Sequence, residues 1–320
     1  MTDLSVAIRT FNSARHLPQL LKALHAQANV DGLAWEVVIV DNNSTDDTVE
    51  IIRQFAAQWQ ICPLRHVVES RQGASYARQR AIAEAAGSWV AFLDHDNIPD
   101  ENWVAAAHRF AQAHPQAAAF GGQIHARYES PPPQHFERIA SFIPVIERDE
   151  SLCFTQGWRH LSNMVPPGAG LVIRRQAWQQ HVPRNLSLKG PVGHSLTLKG
   201  EDVEALLYLK KAGWEIWFNP EMHISHTIPN QRFERDYLLR FFRGIGLSKY
   251  TTRMVPYAKW QRPLMVWIYW ISDLRKVLGH LLQYRHVLNS DVVAAAELQM
   301  FISSLWSPFY TWQQQLRGGL

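Results

Sequence analysis

The stretch from Ser88 to Asn97 constrains this chain most. Trp89, Val90, Ala91, Phe92 and Leu93 run unbroken into Asp94-His95-Asp96-Asn97, and Pro99 follows almost at once. A continuous apolar run ended by turn residues reads as a buried strand that delivers its last side chains into a crevice. In an extended chain, positions two apart share a face, so Asp94 and Asp96 can converge on one cation. Hard carboxylate oxygens that leave coordination positions open suit Mg²⁺ or Mn²⁺ carrying a diphosphate. An acidic surface turn explains the same residues equally well, so the rest of the chain has to decide.

What surrounds this stretch is regular. Leu4–Ile8 reads as a strand, with Arg9 to Ser13 as the loop after it. Leu17, Leu20, Leu21 and Leu24 then recur at helical spacing, with Pro18 suited to a first turn. Trp35–Val40 is a second buried strand. It ends in Asp41-Asn42-Asn43-Ser44-Thr45-Asp46-Asp47, a polar loop in which Ser44 or Thr45 is placed to cap a helix. Val49, Ile52, Phe55 and Ala56 are the inward face expected of that helix. Residues 64–68 form a short strand, and Gly73 through Arg80 enters an alanine-rich helix that ends near Gly87. Strands alternating with helices over short connections predict a mostly parallel, Rossmann-like sheet with helices on both faces. Ligands on such sheets bind beyond the carboxyl ends of the strands. Thr10–Asn12, Asp41, Arg71 and Asp94–Asp96 should therefore share one rim.

The later chain continues the alternation with more interruptions. A helix is expected over 101–113, and a strand over Ala117–Ile124. An irregular connection follows at Pro131-Pro132-Pro133, and polar, aromatic loop at 151–167. Gly168-Ala169-Gly170 turns into another strand, and 184–200 carries three glycines suited to a lid. Glu201-Asp202 opens a helix to about Lys211, and Trp214–Phe218 is a last short strand. Past residue 230 the pattern turns helical and aromatic. Two regions follow from this: residues 1–230 as an α/β domain and 231–320 as a basic, helical extension. There is no internal repeat.

Charge separates the same two regions. Residues 231–320 hold 12 Lys and Arg against 5 Asp and Glu, leaving 20 against 23 before them. A basic, aromatic-rich tail suits an anionic surface. Nucleic acid would match the charge, yet no recognition motif accompanies it. The longest late apolar run, Leu264–Ile271, is far short of the roughly 20 residues that span a bilayer. Two cysteines, Cys62 and Cys153, form neither a disulfide framework nor a zinc spacing. With no secretory signal at the start, the expected location is the cytoplasm, with peripheral contact at the inner membrane face as an open alternative.

In order, Thr10-Phe11-Asn12, Val38 through Asp46, Gly73 through Arg80, Asp94-His95-Asp96, Gly168-Ala169-Gly170 and Glu201-Asp202 resemble glycosyltransferase family 2. The resemblance covers roughly residues 4–226 and implies the nucleotide-sugar-binding fold called GT-A. It implies a UDP-sugar or similar donor, a glycan or lipid-linked acceptor in polysaccharide assembly, and Mn²⁺ or Mg²⁺ as cofactor. By resemblance Thr10, Phe11, Asn12, Asp41 and Arg71 hold the nucleotide, and Asp94 with His95 lies by the ribose and metal. Asp96 ligates the metal. Phe11 stands where the family often has tyrosine, keeping the ring for stacking but losing a hydroxyl.

The chemistry needs a carboxylate to take the acceptor's proton. Asp202 is the expected base, since the first turn of a helix favours its ionised form. Glu201 is expected to position the acceptor or the diphosphate. Both acids are also explained as complements to the helix dipole. His226 is open between completing the metal site and a structural role. Arg9 and Arg174 read as packed or solvated rather than phosphate-facing. The resemblance implies inversion by single displacement, and without the Gln-X-X-Arg-Trp signature of the processive members, one sugar is added per encounter.

Arg235, Arg240, Arg243, Lys249 and Arg253 beside Phe241, Phe242 and Tyr250 suit either a packed helical subdomain or a membrane face. Two enzyme alternatives fit less well. A nucleotidyltransferase would carry a glycine-rich basic loop after the first strand, and a dinucleotide oxidoreductase a Gly-X-Gly-X-X-Gly turn. A non-catalytic nucleotide-sugar scaffold would not need Glu201-Asp202.

Overall fold

The computed structural model describes residues 2–156, 164–190 and 200–316. Among them, the first half builds the expected alternation: β1 (Leu4–Thr10), α1 (Leu17–His25), β2 (Trp35–Asp41), α2 (Thr48–Gln58), β3 (Leu64–Val68), α3 (Ala74–Glu84) and β4 (Trp89–Asp94). Strand side chains alternate between two cores. Val6, Ile8, Val37, Ile39, Ala91 and Leu93 face one, where Leu17, Leu20, Leu21 and Leu24 of α1 are fully buried. Ala7, Val38, Val40, Val90 and Phe92 face the other, against Ala77, Ala81 and Ile82 of α3. This is why β2 and β4 read as unbroken apolar runs: both faces of the sheet are covered.

The second half adds β5 (Asn97–Pro99), α4 (Trp103–Ala113), β6 (Ala117–Tyr128), β7 (Leu152–Cys153), β8 (Val172–Arg174), α5 (Arg175–His181), α6 (Glu201–Lys211) and β9 (Glu215–Ile228). The sheet order is β3-β2-β1-β4-β8-β6-β9-β5, with β7 on β9. It is parallel through β3-β2-β1-β4, and the pairings beyond β4 are mixed. Most of the expected lid, 191–199, lies outside the described residues, as does 157–163 within the expected loop.

Several local expectations differ. The helix after β2 begins at Thr48, later than Ser44 or Thr45 would cap it; Asp46 accepts from the Thr48 backbone N–H at 3.1 Å instead. Ser44 is drawn off because its hydroxyl donates to Asp41 at 2.5 Å. Thr48 and Ile52 make that helix's buried face, Val49 and Phe55 are half-buried, and Ala56 is exposed. The last strand is one 14-residue element, longer than the expected Trp214–Phe218. Its pairing with β6 jumps from Gly122–Asn219 to Gln123–His223, so Pro220, Glu221 and Met222 form a bulge. A proline without an N–H belongs at such a break. Past the bulge, β9 pairs His226 with Asn97 of β5.

The helical extension comprises α7 (Arg235–Met254), α8 (Arg262–Tyr284) and α9 (Val292–Leu316). It is rooted in a third core, in which Phe136, Ile139 and Ile143 meet Ile228, Leu238, Phe242, Val293 and Met300. The irregular connection after the triple proline thus carries the apolar socket for the extension, in two short 3₁₀ turns.

Gly122 is required by close approach. A Cβ there would lie 2.4 Å from the Met222 carbonyl oxygen. Gly122→Ala should therefore push the bulge apart, costing about 1–3 kcal/mol as overpacking does. Chemical denaturation checks this; an unchanged midpoint would show that the bulge yields freely.

Candidate active site

The strand register brings the expected residues to one rim. Arg9 is paired with Asp94 across β1–β4, and Thr10 with Asp41 across β1–β2. Three side-chain clusters lie along it.

The first cluster joins the end of β4 to the start of α6. Arg9 donates to Asp94 Oδ1 at 2.5 Å and lies 3.6 Å from Glu201 Oε1. Arg9, expected to be packed or solvated, is packed as the buried cation between two acids. Burial alone would lower its pKa, but Asp94, Glu201 and Asp202 outweigh burial and raise it. Glu201 is 6% exposed. Its burial and the neighbouring Asp202 charge push its carboxyl above the usual range, against Arg78 and Arg9. Asp202 is half-buried, its Oδ1 accepting from the Val203 N–H at 2.8 Å. Its Oδ2 faces Gly168: a Cβ on that glycine would lie 2.5 Å from Oδ2 and 2.8 Å from Arg78 Nη2. Only a glycine leaves that room.

Arg78 is the residue that sequence reasoning missed. It is 1% exposed, its guanidinium stacks 4.6 Å above the Phe92 ring, and its Nε and Nη1 have no hydrogen-bond partner among the described residues. Burial and then the nearby Arg9 charge lower it to about 10, against the three acids of the cluster. The signal was present. Ser75, Arg78 and Ile82 recur on the buried face of α3, and a buried arginine needs an anionic partner.

The second cluster surrounds Asp96. Because His95 and Asp96 form a turn between β4 and β5, the same-face argument for an extended chain does not reach Asp96. Asp94 and Asp96 face different guanidinium groups. Arg232 donates to Asp96 Oδ2 at 3.0 Å, and its other terminal nitrogen lies 3.0 Å from His226 Nε2. His226 Nε2 is itself 3.4 Å from Asp96 Oδ2, and His226 Nδ1 is buried without a hydrogen-bond partner among the described residues. Burial would raise Asp96, yet His226, Arg232 and His95 hold it well below the usual carboxylate range. Arg232 lay beyond the expected domain boundary, so the sequence offered no reason to link it to Asp96. His95 sits beside His16, ring centroids 5.9 Å apart.

The third cluster shapes the far end of the rim. Asp41 is 3% exposed and accepts from the Ser44 backbone N–H at 3.2 Å and from Thr10 Oγ1 at 3.4 Å. Asn12, at a positive φ of 49°, accepts from the Thr45 N–H at 2.8 Å and so braces one loop on the next. Phe11 is half-buried. Arg71 is exposed, paired with Glu69 at 2.9 Å and 4.7 Å from the Tyr76 ring centroid. Asn42, another residue not foreseen, donates to the Glu69 and Arg71 carbonyls and accepts from the Gly73 N–H. Arg174 stacks on Trp89 and donates to backbone carbonyls, packed as expected.

Such an arrangement can hold an anionic ligand over buried arginines, beside a half-exposed carboxylate and a carboxylate–imidazole pair. Among the described residues no three His, Cys, Asp or Glu converge enough to hold a metal ion by themselves. Asp96 and His226 still suit one. If Nε2 accepts from Arg232, the lone pair points where a cation already sits, here a guanidinium. A magnesium-type ion bound by one or two protein groups takes its remaining ligands from water and phosphate.

The sequence model for Glycosyl transferase family 2 matches residues 5–177. Glycosyltransferase AglE of Haloferax volcanii is 37% identical over 101 residues, which span 31% of this chain and 32% of that protein. The match thus reaches about a third of that relative's length. Among solved structures, the mannosyltransferase PcManGT of Pyrobaculum calidifontis, in complex with GDP-Man and Mn²⁺, superposes with a TM-score of 0.62 at 15% identity. That superposition covers 96% of this chain and 87% of PcManGT. S. aureus TarS 1-349 in complex with UDP-GlcNAc gives 0.57 at 14% identity, covering 99% and 92%. At these identities the likeness is one of fold.

Asn42→Ala removes three hydrogen bonds, two of them buried, each worth about 1 kcal/mol. Denaturant unfolding should show a loss of about 2–3 kcal/mol. A loss within experimental error would mean that water replaces all three.

Proposed function

The chain belongs to glycosyltransferase family 2 and has the GT-A fold, and on that premise we propose that it moves one sugar from a nucleotide-diphosphate donor to a glycan or lipid-linked hydroxyl, inverting the anomeric centre. The observation that carries this reading is Arg9, held between Asp94 of the Asp-X-Asp turn and Glu201 of the Glu-Asp helix. It supports a donor site and a base in fixed relation to each other.

In this reading the nucleotide lies at the rim's far end. Phe11 and Arg71 pack on the base, and Thr10 and Asp41 supply polar contacts. Asp41 retains acceptor capacity beyond its loop contacts, since a carboxylate offers about four lone-pair sites. Asn12 acts through the loop it braces. Asp94 and His95 flank the ribose. Asp96 and His226 would hold Mn²⁺ or Mg²⁺, which when bound supplies a Lewis acid that relieves charge on the departing diphosphate. The neighbours solved with UDP-GlcNAc, and with GDP-Man and Mn²⁺, support a nucleotide-sugar and a divalent ion.

Asp202 takes the proton from the acceptor hydroxyl as that oxygen attacks the anomeric carbon. Of the two helix acids it is the more accessible, and the absent side chain at Gly168 leaves room before Oδ2. Glu201, buried and facing Arg9, positions rather than reacts. Arg78 keeps positive charge beside Asp202. In this reading the acceptor oxygen displaces the diphosphate directly, with no glycosyl-enzyme intermediate on the path. A non-catalytic nucleotide-sugar scaffold would have no use for this spacing around Asp202.

Asp202→Asn should lower the transfer rate by about 10²–10⁴-fold, the usual worth of a general base, with donor affinity little changed. Steady-state transfer and donor titration together check this. Transfer at the parent rate would remove Asp202 from the mechanism. Asp96→Ala should abolish the thermal stabilisation that UDP with Mn²⁺ confers. An unchanged shift would exclude Asp96 as a ligand.

A further inference from the structure

The aromatics of α7 that suited a membrane face pack against the protein, while Arg235, Arg240 and Arg243 stay exposed. Phe242 is fully buried, Arg253 is paired with the buried Asp273 at 2.5 Å, and Arg235 donates to the Leu288 and Asn289 carbonyls. The unpartnered surface lies on the next two helices. In α8, only Asp273, Val277 and His280 are buried. Leu264, Trp267, Ile271, Leu278 and Leu282 recur three, four or seven residues apart, and are 47–77% exposed. In α9, Trp306, Phe309, Trp312 and Leu316 are 50–68% exposed on the side away from α7. The two helices run antiparallel, with His280 against the Ala294 carbonyl and Trp270 near Pro308. Trp260, at the turn into α8, is 80% exposed.

Tryptophan is seldom left in water without a partner, and an apolar surface of this extent marks an interaction site. Its charge identifies the partner. From residue 255 to the end there are three acids, Asp273, Asp291 and Glu297, and six Lys and Arg. All three acids are held in ion pairs, at 2–15% side-chain exposure. Lys259, Arg275, Lys276 and Arg285 are exposed. A face of tryptophan and leucine within an exclusively basic rim is complementary to an anionic lipid bilayer. A second copy would set basic rim against basic rim with no exposed acid between them. Among the described residues no helix is long and apolar enough to cross a membrane. We propose that α8 and α9 lie in the interface of an anionic lipid bilayer, their apolar faces in the acyl boundary and their lysines and arginines at the headgroups. This deepens the lipid-linked alternative for the acceptor and rests on that reading for its purpose. Its test does not depend on catalysis.

The full chain is sedimented with vesicles of phosphatidylcholine alone and of phosphatidylcholine with phosphatidylglycerol. Preferential binding to the anionic vesicles, weakened by salt and accompanied by a blue shift of tryptophan fluorescence, is the expected result. Trp267→Glu with Leu278→Glu changes two exposed side chains far from the rim. The double variant should bind vesicles at least about tenfold more weakly while keeping the parent's thermal midpoint and its response to UDP with Mn²⁺. Three results would overturn the proposal: no vesicle binding by the parent, equal binding by the variant, or a parent dimer without lipid that the variant dissolves. A parent that binds vesicles but not the nucleotide would leave the docking standing and count against the function proposed above.

Discussion

One guanidinium holds the site together. Arg9 leaves β1 at the rim and faces Asp94 on the neighbouring strand and Glu201 on a helix nearly two hundred residues later. Burying a charge is costly unless opposite charges are buried with it. Here two arginines, Arg9 and Arg78, are buried among Asp94, Glu201 and Asp202. Among the described residues, neither arginine has all its nitrogens satisfied. Such a cluster is poorly explained by stability alone. Its members come from β1, α3, β4 and α6, so it assembles only when the whole catalytic core has folded.

The second dependence is on register. The bulge at Pro220–Met222 lets β9 run on beside β6 and brings His226 opposite Asn97, one residue from Asp96. Arg232, just beyond β9, then reaches both Asp96 and His226. A cation therefore already occupies the position proposed for the metal. The helical extension is coupled to this place, because Ile228 at the end of β9 and Leu238 of α7 share the third core. The membrane face proposed for α8 and α9 and the donor site would in this way belong to one packed unit.

Much of this was legible in the sequence where a single physical rule dominates. Strands covered on both faces showed as apolar runs, the leucine stripe of α1 as a helix face, and the strand ends as a shared rim. Legibility failed where tertiary contacts override local preference. Ser44 looks like a cap until Asp41 claims its hydroxyl. Pro220 and Glu221 interrupt the apolar pattern of β9, so a long bulged strand reads as a short one. Arg78 was overlooked because it stands beside Arg80 in an alanine-rich helix, where arginines look solvated, and Arg232 because its partner lies 136 residues away. In the extension, composition marked a basic, aromatic-rich helical region and left packing and surface contact as alternatives. Without the third core, it could not tell which helix turned its aromatics inward.

The measurement that bears most directly on the account is calorimetric titration of the intact protein with UDP, with Mn²⁺ present and after its removal by chelator. The account predicts binding that is strong with Mn²⁺ and weakened at least about tenfold without it, because the diphosphate and the Asp96–His226 pair share the ion. Equal affinity under both conditions would contradict the metal site, and no binding under either would contradict the donor site itself.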